Sequence, residues 1–298
     1  MIHQPAILAT AVIPWDSRYH FDAPAFRQQV GAIAKGLTRN IYIFGTAGEG
    51  YAVSESQFDE IATAFWQASL DYRVTPMLGI VSLSLPTIVS RIQRGHALGF
   101  REFQLSLPSW GALNDTEVDA FFAATCGQFG DCRFHHYNLL RTKRLLTSVE
   151  YRRLAEAHPN LVAVKCSTDD PAILSDLLTV SPRLMFFFTE FGYARARRTT
   201  SNIGLLISLA SANHALAHEF VAGDDATRDT AVAELRLMGA SLREISAGRF
   251  HIDGAFDKML YRLTDSEFPL RLLPPYATAS DADFARFRDS LPTRWKRA

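Results

Sequence analysis

The stretch Leu161-Val162-Ala163-Val164-Lys165-Cys166-Ser167 contains a short apolar run that ends on a lysine. Four consecutive apolar residues are typical of a buried strand in a parallel sheet. Because side chains alternate along a strand, Lys165 shares a face with Leu161 and Ala163. Burial disfavours the ammonium form of a lysine and favours the neutral amine, which is the form that attacks carbonyl groups. The alternative is that Lys165 ends the strand and extends into water, as most lysines do.

The rest of the chain alternates short apolar runs with amphipathic segments, which predicts strands followed by helices. Eight such units favour a closed (β/α)8 barrel, a TIM barrel, over an open doubly wound sheet. We predict a barrel domain over residues 1–225 and, because strand patterns stop there, a C-terminal helical appendage over residues 226–298. The predicted strands are Ala6–Ile13, Ile41–Phe44, Val74–Ile80, Glu102–Leu105, Cys132–Tyr137, Leu161–Lys165, Leu184–Phe188 and Ile203–Ile207.

Composition excludes several classes of partner. The 298 residues carry 31 basic and 31 acidic side chains, and this zero net charge does not favour nucleic-acid binding. The nearest approach to an uninterrupted apolar run, residues 203–212, is too short to span a membrane. Residues 1–8 lack the pattern of a signal peptide. The three cysteines show no metal-site spacing and are odd in number, which favours a reducing compartment. We therefore expect a cytoplasmic protein without a nucleic-acid or membrane partner.

In a TIM barrel the active site lies at the carboxyl ends of the strands, and two further strand ends carry functional groups. The turn Gly45-Thr46-Ala47-Gly48-Glu49-Gly50 offers backbone N–H groups and the Thr46 hydroxyl to a carboxylate, although its glycines are equally explained by positive φ angles. Tyr137 is either a proton relay or a half-buried aromatic. His135 lies one layer below it. His135 and His136 face opposite ways, so we expect no shared metal ion.

Three motifs in this order resemble those of the dihydrodipicolinate synthase and N-acetylneuraminate lyase family. Gly45-Thr46-Ala47-Gly48-Glu49 resembles the family turn G-[TS]-T-G-E, and Tyr137-Asn138 resembles its Y-N motif. The stretch from Asn160 to Lys165 resembles N-[IL]-x-[GA]-x-K, whose lysine forms a Schiff base with pyruvate. The spacing between Tyr137 and Lys165 also matches the family. Motifs in a fixed order at strand ends are more specific than any one alone, and they favour the nucleophilic role of Lys165.

The resemblance implies a barrel with C-terminal helices that assembles as a homotetramer, a dimer of dimers. It implies a covalent imine between Lys165 and a pyruvate-type 2-oxo acid, with no cofactor. Tyr137 would transfer protons, and Thr46, with Ala47 and Gly48, would bind the substrate carboxylate. The catalytic candidates are thus Lys165, Tyr137 and Thr46. The substrate-binding candidates are Ala47, Gly48, Trp110, His135, Arg141, Thr189, Glu190 and Ile207.

The sequence also departs from the family pattern. Ala47 replaces a hydroxyl residue of the turn and so removes a hydrogen bond worth about 1.5–3 kcal/mol. Trp110 stands where the synthases have a relay tyrosine that is contributed across the dimer, and an indole N–H cannot relay a proton as a phenol does. Thr142, next to Arg141, stands where the synthases have an arginine. The pattern Pro108-x-Trp110 resembles the hydratase-aldolases of the family, which accept bulkier 2-oxo acids.

We therefore predict a Schiff-base lyase, an aldolase or dehydratase, that acts through Lys165 on a 2-oxo acid larger than pyruvate. One alternative is a true 4-hydroxy-tetrahydrodipicolinate synthase, which condenses pyruvate with an aldehyde. Another is a non-catalytic relative that binds a 2-oxo acid. An open-sheet enzyme with Cys166 as its nucleophile is disfavoured, because Cys166 points away from the face that carries Lys165.

Overall fold

The protein is a closed barrel of eight parallel strands that follow one another in sequence order. The computed structural model describes residues 6–180, 183–250 and 252–296. The predicted (β/α)8 fold is therefore confirmed, and the open sheet is wrong. The strands are β1 Ile7–Thr10, β2 Asn40–Ile43, β3 Thr75–Gly79, β4 Glu102–Leu105, β5 Arg133–Asn138, β6 Leu161–Cys166, β7 Met185–Phe188 and β8 Ile203–Leu206. Residues 1–5 of the N-terminal stretch that lacks a signal-peptide pattern lie outside the described residues.

Helices follow the strands one by one and then continue as a helical C-terminal segment. They are α1 Ala23–Gly36, α2 Glu55–Tyr72, α3 Leu85–Leu98, α4 Asp115–Ala124, α5 Ser148–Ala157, α6 Pro171–Leu178, α7 Glu190–Ala196, α8 His214–Ala222, α9 Asp225–Ser246, α10 Ile252–Arg262 and α11 Asp281–Ser290. Short 3-10 helices lie at Leu140–Thr142, Leu209–Ala212 and Thr293–Trp295. Within the three described ranges, no helix has both the length and the apolar character required to cross a bilayer.

Helix starts are decided by local capping residues. Asp22 accepts a hydrogen bond from the backbone of the first turn of α1. Ser54 and Gln57 form a capping box at the start of α2, in which each side chain accepts from the backbone N–H of the other residue. Helix α9 starts at Asp225, ahead of the apolar periodicity that begins at Ala231, because Asp224 caps it. A cap lengthens a helix into a polar segment that has no hydrophobic periodicity.

Strand ends are less well predicted, because apolar runs continue past the hydrogen-bonded ladder. The first strand is predicted over Ala6–Ile13, but β1 ends at Thr10. Ala11, Val12 and Ile13 are nevertheless at most 2% exposed. The connection that leaves the strand is thus itself buried, and burial alone does not mark where strand pairing stops.

The packing of the chain distinguishes two compact units. The first comprises Met1–Leu8 and Pro76–Leu206 and contains the pairings from β3 to β8, together with the pairing of Ile7 in β1 with Leu205 in β8. The second comprises Ala9–Thr75 and Ile207–Ala298, and within its described residues it contains the pairing of β1 with β2 and the helices α1, α2 and α8 to α11. The division into a 1–225 barrel and 226–298 helices stays a prediction.

Candidate active site at the carboxyl ends of the strands

Lys165 lies at the penultimate position of β6 and is fully buried. It shares a strand face with Leu161 and Ala163, which are each 2% exposed. The ladder pairs Lys165 with Tyr137 of β5 on one side and Phe187 of β7 on the other. The prediction that Lys165 is buried on the face of core residues is confirmed, and the exposed strand-end alternative is wrong.

The contacts of the Lys165 amine include the Gln104 amide and the Tyr137 ring. Its Nζ donates a hydrogen bond to Gln104 Oε1 at 2.5 Å. The same nitrogen lies 4.4 Å from the centroid of the Tyr137 ring, within the range of a cation–π interaction. The predicted pair of Lys165 and Tyr137 is therefore brought together, with the amine over the face of the ring.

The loop that follows Tyr137 is held by the asparagine of the Tyr-Asn motif. Asn138 is 1% exposed, and its Nδ2 donates to the Leu146 carbonyl while its Oδ1 accepts from the Leu146 N–H, both at 2.9 Å. These two bonds hold the ends of the segment from residue 138 to residue 146 together, as a pair of backbone hydrogen bonds between two strands would. Asn138 thus orders the chain next to Tyr137, which is itself half-buried.

His135 lies deeper on the same face of β5. Its Nε2 is 3.3 Å from Glu102 Oε2, and its ring stacks on Phe187 with 6.0 Å between the ring centroids. Burial raises the pKa of Glu102, but the hydrogen bond and charge of His135, together with Arg133, outweigh burial and lower it. The Glu102 carboxylate thus lies next to the His135 imidazole.

His136 faces the opposite side of β5, as strand alternation predicts. Its Nδ1 lies 2.7 Å from the Tyr151 hydroxyl, and burial lowers the pKa of His136 to about 3. His135 and His136 therefore have different neighbours, and these two side chains do not converge on one point. Cys166 is 1% exposed and burial raises the pKa of its thiol, which does not suit a thiolate nucleophile.

Elsewhere among residues 6–180, 183–250 and 252–296, the side chains close enough to share a metal ion are His96, Asp131 and Cys132. Asp131 already contacts His96 at 2.7 Å and Arg101 at 3.4 Å. Burial raises the pKa of the Cys132 thiol to about 11. An aspartate that is already bonded to an imidazole and paired with a guanidinium, beside a protonated thiol, is a poor donor set for a cation.

The turn from Gly45 to Gly50, in the second compact unit, follows the carboxyl end of β2. Thr46 is half-buried, and Ala47 and Gly48 are buried. The expectation that glycines supply positive φ here is wrong, since Phe44 (57°) and Glu49 (54°) adopt it. Gly48 is needed for a different reason: a Cβ there would lie 2.8 Å from the Phe44 backbone nitrogen. Close approach of the backbone, and not a left-handed conformation, requires this glycine.

A buried carboxylate anchors this turn. Glu49 is fully buried, and its Oε2 accepts from Trp15 Nε1 at 2.9 Å and from Lys258 Nζ at 2.6 Å. Its Oε1 accepts from the Leu273 N–H at 2.7 Å. Lys258, on α10, is also fully buried, and burial outweighs the attraction of Glu49 and lowers the pKa of Lys258 to about 8. The C-terminal segment thus holds the turn through an ion pair that no sequence motif predicted.

The loop after β4 carries Trp110, whose side chain is exposed to 85%. The Trp110 carbonyl accepts a hydrogen bond from Lys143 Nζ at 2.7 Å. Thr142, beside Arg141, is buried, and its hydroxyl donates to the carbonyls of Leu139 and Arg144 at 2.8 Å. Thr142 therefore stabilises the 3-10 helix and does not replace an arginine. Trp110 and Arg141 stay predicted substrate-binding residues.

The remaining candidates follow the last two strands. Thr189 is the N-cap residue of α7, and Glu190, in its first turn, is 1% exposed. Ile207 follows β8 in the second unit, where it lines a small cavity with Ala9 and Tyr261. Their roles stay predictions.

Gln104, which contacts the amine, and Ser106, two residues further on, were absent from the sequence-based site. Gln104, in β4, is fully buried, and Ser106, directly after β4, is 6% exposed; alternation places both on the side of Glu102. A signal was present, since polar residues at 102, 104 and 106 alternate with apolar residues at 103, 105 and 107. This alternation indicates a strand with a polar inner face.

Similarity to known proteins extends over the fold and over part of the sequence. No family model matches the chain. A 4-hydroxy-tetrahydrodipicolinate synthase of Exiguobacterium sibiricum is 22% identical over 169 residues, which are 57% of this chain and 57% of that protein. The chain thus spans little more than half the length of this curated relative.

Solved structures match over nearly the full length. The dihydrodipicolinate synthase of Cyanidioschyzon merolae, with lysine bound, has a TM-score of 0.81 at 17% identity, covering 96% of this chain and 97% of that one. The sialic acid aldolase of Ruminococcus gnavus has a TM-score of 0.78 at 14% identity, covering 96% and 95%. The chain therefore shares the fold of a dihydrodipicolinate synthase and of a sialic acid aldolase, and 57% of it is similar in sequence to a 4-hydroxy-tetrahydrodipicolinate synthase.

Proposed function

We propose that the protein is a Schiff-base lyase, an aldolase or dehydratase, that acts on a pyruvate-type 2-oxo acid through Lys165. The observation that carries this proposal is the full burial of the Lys165 amine against Gln104 and the Tyr137 ring. Full burial disfavours the charged form of an amine, and the neutral amine carries the lone pair that acts as the nucleophile. Fold alone would not support an activity, but a positioned nucleophile does.

The chemistry follows from the amine. Lys165 Nζ adds to the ketone carbon of the substrate, the carbonyl oxygen takes up a proton, and loss of water gives an iminium ion. In a dehydration, the carbon next to the iminium loses a proton to give an enamine, which expels the β-hydroxyl as water once that group is protonated, and water hydrolyses the conjugated iminium that remains. In an aldol cleavage, the iminium accepts the electron pair of the C–C bond, so that an aldehyde leaves as its hydroxyl loses a proton and an enamine remains. Protonation of the enamine carbon and addition of water to the iminium release the product and the free amine.

Two further groups have roles in this proposal. The Tyr137 hydroxyl transfers protons to and from the carbinolamine and the leaving oxygen, because its ring already contacts Lys165 Nζ. The substrate carboxylate is bound by the Thr46 hydroxyl and by backbone groups at Ala47 and Gly48. Ala47 contributes no side-chain hydrogen bond there, so we expect weaker carboxylate binding than in relatives with a second hydroxyl.

The substrate is proposed to be larger than pyruvate. Thr142 uses its hydroxyl inside its own loop, and Lys143 Nζ is bonded to the Trp110 carbonyl, so neither replaces the arginine with which the synthases bind a second carboxylate. Trp110, which is exposed, offers a broad apolar surface. These features support an apolar or aromatic substrate tail over the aldehyde partner of a 4-hydroxy-tetrahydrodipicolinate synthase.

Borohydride trapping tests the proposal. Incubation with pyruvate or larger 2-oxo acids and borohydride should add one reduced substrate mass to the peptide containing Lys165. Lys165→Ala should abolish labelling without unfolding the protein, whereas Lys35→Ala, at an exposed lysine of α1, should label normally. No added mass across the panel would refute the proposal.

The same panel separates the alternatives. A non-catalytic relative would show a raised melting temperature with a 2-oxo acid but neither trapped imine nor turnover. A synthase would consume pyruvate only when an aldehyde is added. The homotetramer and the cytoplasmic location stay predictions, and the first is tested by the molar mass in solution.

A further inference from the structure

Gln104 occupies a position that none of the motifs covers, yet its side chain contacts the reacting nitrogen. Its Oε1 accepts the hydrogen bond from Lys165 Nζ at 2.5 Å, and the whole residue is buried. Lys165 Nζ carries N–H donors in both its charged and its neutral form, and its contact is with Oε1, so it is the amide oxygen that faces Lys165. The amide nitrogen therefore points to a different part of the barrel interior.

This nitrogen is a buried donor close to the nucleophile. In the part of the chain that the structure describes, no group accepts a hydrogen bond from Gln104 Nε2. Because the two heteroatoms of an amide are about 2.3 Å apart, Nε2 lies no farther than about 5 Å from Lys165 Nζ. A buried N–H without an acceptor costs about 1–3 kcal/mol, which a bound oxygen would recover.

A second such group lies on the same strand. Ser106 is 6% exposed, and no residue within 6–180, 183–250 or 252–296 bonds to its hydroxyl. The register pairs Leu105 with His136, so Ser106 follows at the level of Tyr137. One donor without a partner thus lies in β4, on Gln104, and a second, on Ser106, lies directly after the strand, where continued alternation places it on the same face.

We propose that Gln104 is a further catalytic residue. Its amide oxygen orients the Lys165 amine. Its amide nitrogen, together with the Ser106 hydroxyl, donates a hydrogen bond to the ketone oxygen of the substrate, which is bonded to the carbon that Lys165 attacks. This inference rests on the proposed Schiff-base function. As the nitrogen lone pair forms the C–N bond, the electron pair of the carbonyl π bond moves to that oxygen. Donors aimed at this developing charge stabilise the addition step. The Gln104–Ser106 pair therefore binds the ketone oxygen of a 2-oxo acid, and this oxygen later leaves as water.

The test measures the rate of imine formation with pyruvate as the probe and borohydride as the trap. Gln104→Leu should lower the maximal rate about 100-fold and change the half-saturating pyruvate concentration little, since the lost contact forms mainly in the addition step. Ser106→Ala, a small truncation, should lower the rate about three- to tenfold. The matched control is Gln29→Leu, which removes the 1%-exposed amide of α1 and should leave the rate unchanged.

A pH profile separates a catalytic role from a structural one. Gln104→Glu places a carboxylate against the amine and should move the rising limb of the rate to higher pH, whereas Gln104→Leu should move it to lower pH. Rates and profiles equal to those of the unmodified protein in Gln104→Leu and Ser106→Ala would overturn the inference while the proposed function stands. Absence of trapping in the unmodified protein would overturn both.

Discussion

Glu49 and Lys258 form an ion pair at 2.6 Å in which both side chains are fully buried, 209 residues apart in the chain. Glu49 belongs to the turn proposed to bind the substrate carboxylate, and Lys258 belongs to α10. Lys258 also donates to the Arg271 carbonyl, while Glu49 accepts from Trp15 and Leu273. The C-terminal helices are thus part of the support of this turn.

Removal of Lys258 should destabilise the protein strongly. Lys258→Met removes the donor to both the buried Glu49 carboxylate and the Arg271 carbonyl, donors that a merely deprotonated lysine would keep, and breaking such a buried pair typically costs about 3–5 kcal/mol in the free energy of unfolding. Urea denaturation measures this loss. The double variant Lys258→Met with Glu49→Gln removes both charges and should recover much of it, and a loss below about 1 kcal/mol in the single variant would contradict the prediction.

The same lysine predicts how stability depends on pH. The pKa of Lys258 is lowered from 10.5 to about 8 by burial, so the unfolded chain binds more protons than the folded one between these values. Stability should therefore rise with pH across this window, by roughly 3 kcal/mol in total, and be independent of this group below about pH 8. The comparison is between the protein and Lys258→Met, because subtraction removes other titrating groups. An equal slope in both would show that Lys258 is not responsible.

Asn138 should contribute directly to the stability of the protein and indirectly to the rate of imine formation. Asn138→Ala leaves the Leu146 N–H and carbonyl without their partners, which should cost about 2–3 kcal/mol. Since Tyr137 precedes it, imine trapping should also slow. Asn138→Asp keeps the acceptor for Leu146 N–H but places a carboxylate oxygen against the carbonyl, so it should lose at least as much stability. Thermal unfolding and trapping rates measure the two effects, and unaltered stability in Asn138→Ala would count against the role given to the loop.

Tyr137→Phe isolates the hydroxyl from the ring. The ring that contacts Lys165 is retained, so folding should be unchanged. Trapping should slow by about 10²–10⁴-fold, the range expected for loss of a proton-transfer group. Tyr151→Phe is the matched control: it removes the bond to His136 on the opposite face of β5 and should reduce stability by about 1 kcal/mol with normal trapping. Equal trapping rates in both variants would remove Tyr137 from the mechanism.

Local patterns predicted the parts of the site that depend on strand periodicity. The face shared by Lys165 and Ala163, and the opposite faces of His135 and His136, follow from the alternation of side chains along β5 and β6. Helix α3 over Leu85–Leu98 and helix α5 over Ser148–Ala157 begin and end where caps and hydrophobic periodicity place them. These features involve neighbours in the chain, so a single sequence contains the necessary information.

Long-range partners were not predictable in this way. The hydrogen bond from Lys165 to Gln104 joins residues 61 positions apart, and the pair of Glu49 and Lys258 joins residues 209 positions apart. No local pattern predicts which buried polar groups bond to each other. Gly48 shows the same limit, since the sequence indicated a glycine turn but not the close approach to Phe44.

The order of apolar runs and the residues at their ends, by themselves, determined a closed barrel and a lysine inside it, because period-two burial needs only neighbouring positions. Only the tertiary structure determined which groups the Lys165 amine contacts and which groups hold the turn from Gly45 to Gly50. The physical reason is that a buried polar group bonds to whichever group the packed chain places next to it. When the two groups are far apart in the chain, no local sequence pattern indicates that they will meet.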